Sequence, residues 1–219
     1  MKKNQIRVNP SILSGDFGAL AEEAKKIETA GADAIHIDIM DGHFVPNLTL
    51  GPKAVGAINR ATPLFLDVHL MIYNPFDYVE AFVEQGADRI TFHFEATEDV
   101  EETLLFIRRC GRQAGLAFRP ETSFSMMPKY LDQCDLVLLM TVNPGFGGQK
   151  FIENTYEKII QLKYLINEKN SKALIEIDGG VDLNNYQKLI GCGADVLVAG
   201  NTVFSAENPL EMIDKLKKG

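Results

Sequence analysis

The chain has 219 residues, 46% of them hydrophobic and 24% charged, with a formal net charge of −8. That composition suits one packed globular core, and the acidic balance argues against a nucleic-acid binder. Lys215, Lys217 and Lys218, the one basic run, read as a solvated cap on the last helix. The start, MKKNQIRVNPSIL, lacks the apolar segment and small-residue cleavage site of a signal peptide, and no stretch reaches the ~18 apolar residues of a membrane span. Cys110, Cys134 and Cys192 lack CxxC spacing and read as reduced thiols of a cytoplasmic protein.

Short β-rich runs alternate with longer amphipathic ones. In chain order, strands are expected at residues 6–9, 34–39, 64–69, 89–93, 114–118, 136–140, 174–177 and 196–199. Between them, Asp16 is positioned to cap a first helix, and helical patterns cover 75–84, 97–109, 154–168, 182–191 and 207–218. Weaker helical pieces fall near 51–60 and 124–131. Gly31-Ala32-Asp33, Gly86-Ala87-Asp88 and Gly193-Ala194-Asp195 each end a helix and begin a strand, and Gln133-Cys134-Asp135 falls near the missing slot. Glycine suits the left-handed helix C-cap. Apolar strands alternating with helices argue for parallel pairing and right-handed crossovers. Eight such units fit a closed (β/α)8 TIM barrel, read as a single domain over 1–219.

All four histidines lie in or just after expected strands 2, 3 and 4, and barrel active sites sit at the carboxyl ends of strands. In HIDIM, alternation puts His36, Asp38 and Met40 on one face and the isoleucines on the other. His69 and Met71 share a face of strand 3, with Asp67 below them, and Asp178 ends strand 7 on the face of Glu176. His36, Asp38, His69 and Asp178 therefore converge at the mouth. Two imidazoles and two carboxylates suit a divalent transition metal such as zinc, manganese, iron or cobalt. A single strand histidine is as often an ordinary hydrogen-bonded core residue; four ionisable groups facing inward from three strands are costly to bury without a partner or a metal. His43 and His93 read first as ordinary histidines, His93 with the added option of orienting a ligand or a ligating side chain. Met40, Met71 and Met140 end strands 2, 3 and 6, as core filler or as an apolar lid over a reacting carbon.

Glycine loops follow strands 6, 7 and 8: Val142-Asn143-Pro144-Gly145-Phe146-Gly147-Gly148-Gln149, Asp178-Gly179-Gly180 and Ala199-Gly200-Asn201-Thr202. Exposed peptide N–H groups in such loops bind anions, and the loops after strands 7 and 8 are the usual phosphate site of a barrel. No GxGxxG follows strand 1, so no dinucleotide cofactor is expected.

Pro10-Ser11-Ile12-Leu13-Ser14, HIDIMDGHFVPN, DVHLMI, MTVNPGFGGQ, EIDGGV and VAGNTVF together resemble the ribulose-phosphate 3-epimerase family, essentially end to end. The resemblance implies a (β/α)8 barrel with a divalent metal, zinc favoured, that interconverts D-ribulose 5-phosphate and D-xylulose 5-phosphate through a metal-stabilised enediolate. It implies that His36, Asp38, His69 and Asp178 hold the metal. Asp38 and Asp178 would also exchange the C3 proton from opposite faces. Ser11 and His69 would touch the substrate, and Gly145, Phe146, Gly147, Gly148, Gly179, Gly180, Gly200 and Asn201 would hold its phosphate end. It also implies a homo-oligomer.

Two stretches depart from the family pattern. Arg119-Pro120-Glu121-Thr122-Ser123 stands where the family usually reads Asn-Pro-x-Thr-Pro, and Gly200-Asn201 where it has Gly-Ser. Arg119 either faces the mouth or pairs with Glu121 in a structural role; the structural reading is preferred. The Asn201 amide leaves room for a six-carbon relative, an allulose-6-phosphate 3-epimerase. A metal-free barrel acting on a phosphorylated metabolite and a non-catalytic sugar-phosphate binding barrel are the readings from other classes.

Overall fold

The computed structural model describes residues 5–218; Lys2 and Lys3, read above for a leader signal, lie outside them. Eight strands pair in parallel: β1 (Arg7–Asn9), β2 (Ala34–Met40), β3 (Phe65–Met71), β4 (Arg89–His93), β5 (Gln113–Phe118), β6 (Leu136–Met140), β7 (Leu174–Asp178) and β8 (Val196–Val198). The sheet runs β1-β8-β7-β6-β5-β4-β3-β2. Its two ends meet, because Asp33 N–H donates to Val8 O at 3.1 Å and His36 N–H to Pro10 O at 3.0 Å. The expected closed (β/α)8 barrel is the one observed.

Helices α1 (Leu20–Thr29), α2 (Pro52–Ala61), α3 (Val79–Glu84), α4 (Val100–Arg109), α5 (Thr155–Lys169), α6 (Tyr186–Cys192), α7 (Asn201–Phe204) and α8 (Pro209–Lys218) surround the strands. Asp16 does cap, but it caps a 3₁₀ turn at Phe17–Ala19 that precedes α1. The piece near 51–60 is a full helix with Pro52 in its first turn, where proline loses no hydrogen bond. The piece near 124–131 is two 3₁₀ turns, Phe124–Met126 and Leu131–Gln133; Pro128 between them has no N–H to continue a helix. Helix α6 starts later than its pattern, because the Asp182 carboxylate accepts from Asn184 and Asn185 N–H and holds a turn there. The four-residue α7 went unpredicted.

The Gly-Ala-Asp repeat has a physical reason. Gly31, Gly86 and Gly193 take positive φ of 79°, 96° and 117°. The aspartate at the start of each even strand then accepts from the N–H of the second residue of the strand before it. Asp33 takes Val8 N–H (2.8 Å), Asp88 takes Leu66 (2.9 Å), Asp135 takes Ala114 (2.9 Å) and Asp195 takes Ile175 (3.0 Å). Each even strand is thus clamped to the odd strand before it. A cation backs each clamp: Lys217, Arg112, Arg108 and Lys163. Lys217 is therefore not a merely solvated cap; it reaches Asp33 at 2.8 Å and Gly31 O at 2.7 Å.

Alternation sorts side chains into two regions. Ile35, Ile37 and Ile39 of β2 pack outward with Ala24 and Ile27 of α1 and Val55 and Ile58 of α2. Burying each isoleucine contributes about 1.5–3 kcal/mol, so this shell holds the barrel together. The lumen is mixed. Ala117, Leu136, Leu138 and Val196 supply its apolar part, and Asn9, His36, Asp38, Asp67, His69, Arg89, Thr91, His93 and Glu176 its buried polar part. The three cysteines are free thiols. Among the described residues no helix is long and apolar enough to cross a membrane.

Candidate active site at the carboxyl end of the barrel

Parallel register stacks the lumen side chains in tiers. His36 lies beside Asp67, Asp38 beside His69, and Met40 beside Met71; Asp67 is next to Arg89, and Met140 is next to Asp178. Across these tiers His36, Asp38, His69 and Asp178 come together, one ligand atom from each lying within 4.8 Å of all the others. His36 Nε2 is 3.3 Å from Asp38 Oδ1 and 3.9 Å from Asp178 Oδ2. His69 Nδ1 is 3.1 Å from Asp38 Oδ1 and 3.7 Å from Asp178 Oδ2. The other face of each imidazole is held from behind. His36 Nδ1 meets Asp67 Oδ2 at 3.0 Å, and His69 Nε2 meets His93 Nε2 at 3.0 Å. Ser11 Oγ donates to Asp38 Oδ2 at 2.5 Å.

The cluster fits a cation. His36 Nε2 is buried and has no hydrogen-bond partner, since its approach to Asp38 falls outside hydrogen-bond geometry. Such an orphan is costly unless something binds it. The local field agrees. Burial works against a charged His36, yet Asp38 and Asp67 hold its pKa well above the ordinary value, so positive charge is favoured at that point. Burial would also raise Asp38, but His36 and His69 win and hold it far below the carboxylate range. Asp178 goes the other way: burial and then the Asp38 charge push it up to about 6. Two carboxylates over one space thus carry opposite proton preferences.

One tier below lies a second acidic group, His36, Asp67 and Glu176, whose ligand atoms are also close enough for a metal. The Arg89 guanidinium already fills it, with Nε 2.8 Å from Asp67 Oδ1 and Nη2 2.8 Å from Asp67 Oδ2 and 3.5 Å from Glu176 Oε1. Asn9 Nδ2 donates to both acids. This tier carries its own cation and needs no other.

A cavity of about 650 Å³ opens above the upper cluster. Ser11, Asp38 and Asp178 lie at its wall, and so do Met40, Met71 and Met140; His36 and His69 sit behind, fully buried. Met40 and Met71 pack with Phe44, Val45 and Ala96, while Met140 packs across the lumen with Val142 and Leu138. The methionines therefore form two apolar walls, not one sheet. Gly145, Phe146, Gly147, Gly148, Gly179, Gly180, Gly200 and Asn201 line the far end. Gly179 and Gly180 have φ of +121° and +64°, and a Cβ on Gly180 would lie 2.8 Å from Phe151 N, so the backbones of the two loops meet where side chains cannot fit. Asn47 Nδ2 donates to Gly145 O at 2.7 Å and ties the loop after β2 to the loop after β6.

Other expected residues take quieter places. Asp41 shapes the turn, accepting from His43 and Phe44 N–H and, across to β3, from Tyr73 N–H. His43 stacks edge-on against Tyr73, away from the cluster. Arg119 lies over the Phe44 ring at 4.2 Å and donates to Phe44 O; its Glu121 contact is 4.0 Å. It holds the wall of the site from outside. Sequence reasoning passed over Asn9, Arg89 and Glu95. The alternation of Arg89, Thr91 and His93 along β4 was the available signal for Arg89; nothing local marks Glu95.

An eight-stranded parallel barrel with a buried His/Asp cluster and glycine loops at one end of a cavity defines a (β/α)8 enzyme of the kind that handles small anionic metabolites. The family model described as "Ribulose-phosphate 3 epimerase family" matches residues 7–204. The chain is 53% identical over 217 residues to the ribulose-phosphate 3-epimerase of Chlamydia pneumoniae, covering 98% of this chain and 94% of that protein. It is 47% identical to that of Bacillus subtilis, covering 97% and 98%, and 42% identical to that of Escherichia coli K12, covering 97% and 95%. The chain belongs to the ribulose-phosphate 3-epimerase family, and it is an epimerase. Among solved structures, KGPDC from Streptococcus mutans superimposes with a TM-score of 0.74 at 14% identity, covering 97% of this chain and 96% of that one. The 3-hexulose-6-phosphate synthase of Salmonella typhimurium gives 0.70 at 17%, covering 97% of each. At such identities these two show the fold alone.

Proposed function

We propose that the chain interconverts D-ribulose 5-phosphate and D-xylulose 5-phosphate by two-base proton exchange at C3, with a divalent metal ion, zinc first among candidates and iron, manganese or cobalt behind it. The observation that carries this reading is the pair of carboxylates, Asp38 and Asp178, that share one space with the His36 and His69 imidazoles at the floor of the cavity. His36, Asp38, His69 and Asp178 would hold the metal. When bound, it supplies positive charge that favours loss of the proton α to the C2 carbonyl. Asp38 takes the C3 proton, and Asp178 returns one to the opposite face of the enediolate; the reverse reaction exchanges their roles. Ser11, donating to Asp38, orients the base. Peptide N–H groups of the loops at Gly147–Gly148, Gly179–Gly180 and Gly200–Asn201 fix the phosphate, so binding energy far from C3 positions the reacting carbon. Met40, Met71 and Met140 keep water from the enediolate and limit its loss to side reactions.

The test is turnover on ribulose 5-phosphate and on allulose 6-phosphate, with metal content measured on the same preparation. Asn201 is the reason for including the hexulose. A higher kcat/KM on the pentulose, bound metal, and solvent deuterium at C3 are expected. A large hexulose preference overturns the substrate. Full activity in a preparation free of metal overturns the metal, and binding without turnover overturns the chemistry.

A further inference from the structure

His69 does not stand alone behind the upper cluster. Its Nε2 meets His93 Nε2 at 3.0 Å, and His93 Nδ1 meets Glu95 Oε2 at 3.1 Å. Both rings are fully buried. The other Glu95 oxygen, Oε1, accepts from Arg119 N–H at 2.9 Å and from the Thr122 hydroxyl. Phe44 packs on His93, and Arg119 covers Phe44. The backbone N–H of Arg119 and the side chain of Thr122 thus fasten the outer end of this chain of groups.

We propose that Glu95 and His93 are positioning residues that set the hydrogen-bond direction of His69, so that its Nδ1 presents a lone pair to the metal. The direction follows from the chemistry of the groups. A carboxylate only accepts, so the proton between Glu95 and His93 sits on His93 Nδ1. A neutral His93 then has a bare Nε2. Two nitrogens 3.0 Å apart share one hydrogen, which must come from His69 Nε2. That proton on Nε2 leaves Nδ1 free to ligate, on the side where Asp38 and Asp178 stand. Asp67 does the same in one step for His36, taking Nδ1–H and freeing Nε2. The inference rests on the metal reading given above.

Glu95→Gln tests it without changing size. Arg119 N–H still requires an acceptor at Oε1, so the new amide must point its NH2 at His93 Nδ1. The relay then runs backwards: His93 carries its proton on Nε2, and His69 must use Nε2 as acceptor and hold its proton on Nδ1. Nitrogen chemical shifts of protein labelled with ¹⁵N-histidine report both tautomers, and zinc titration against a competing chelator reports affinity. Wild type is expected to show His93 protonated on Nδ1. Glu95→Gln is expected to move that proton to Nε2 and weaken zinc binding about 10–100-fold. Thr122→Val, which keeps the carboxylate, is expected to weaken zinc binding by less than about 10-fold, the lower end of that range. A wild-type His93 protonated on Nε2 overturns the proposal, and so does a Glu95→Gln chain with unchanged zinc affinity. Should Glu95→Gln fail to fold, the wild-type His93 tautomer decides alone. A wild type that binds no zinc fails the metal reading instead, and the His93 tautomer still reports the direction of the relay.

Discussion

The upper and lower tiers of the lumen are built from the same residue types and reach opposite ends. Both gather histidine and acid within metal-binding distance, and they share His36. Below, Arg89 brings the positive charge covalently, and Asn9 takes up part of the remaining acceptor capacity. Above, no Lys or Arg among the described residues pairs with Asp38 or Asp178, whose partners are His36 and His69, and His36 Nε2 is left without a hydrogen-bond partner. The difference teaches that acidic clustering alone does not mark a metal site. What marks one is a set of buried ligands whose charge no Lys or Arg among the described residues completes.

The largest effect should come from the upper tier. Asp38→Asn and Asp178→Asn are each expected to lower kcat by about 10³-fold or more, in line with loss of a positioned acid or base, while circular dichroism shows the barrel intact. Near-normal turnover in either variant would erase the distinction between a working tier and a structural one. The lower tier should answer in stability instead. Arg89→Met leaves buried Asp67 without its cation, and urea denaturation should show a loss of about 3–5 kcal/mol, the usual result of breaking one side of a buried pair. A loss under about 1 kcal/mol, the range of exposed pairs, would mean that Arg89 is not the lower tier's counter-ion.

Glu176 sharpens the contrast through pH. Burial, then the Asp67 charge, raise its pKa to about 8. The folded state therefore holds a proton that the unfolded chain has already released. That stability is complete below the ordinary carboxyl pKa and disappears as pH rises through about 8. Glu176→Gln cannot titrate, and its urea midpoint should fall less between about pH 6 and pH 9 than that of wild type; equal falls would rule out a protonated Glu176. The smallest effect belongs to the clamps outside the lumen. Asp88→Ala removes the acceptor of Leu66 N–H and should cost about 1–2 kcal/mol with kcat unchanged. A large loss of kcat would show that the clamp also shapes the site.

Much of this could be read from the order of residues. Alternation with period two put His36 and Asp38 on one face of β2 and the isoleucines on the other, since successive side chains of a strand leave opposite sides. Glycine loops after strands 6 and 7 were visible because positive φ calls for glycine, the one after strand 8 because a Cβ on Gly200 would crowd Ser14, and the Gly-Ala-Asp repeat announced the even strands. Patterns of this kind are local, and local chemistry imposes them. The helix-like run near 124–131 forms 3₁₀ turns because Pro128 has no N–H to continue a helix.

Pairings between strands came only with the tertiary structure. The register of β2 on β3 set Asp38 beside His69 and His36 beside Asp67, and barrel closure carried Asp178 to them from β7. No interval in the sequence distinguishes Asp67, which meets Arg89, from Asp38, which meets two imidazoles; they differ in which neighbour the closed barrel delivers. Glu95 is the clearest case. Its sequence context is an unremarked Phe-Glu-Ala after β4, and its place came from the fold, which put the Arg119 N–H on one oxygen and His93 on the other. The sequence by itself determined which side chains face inward, because the pleat of a strand is a property of the backbone. Only the tertiary structure decided which of those charges are neutralised from within, because that depends on distances across the barrel.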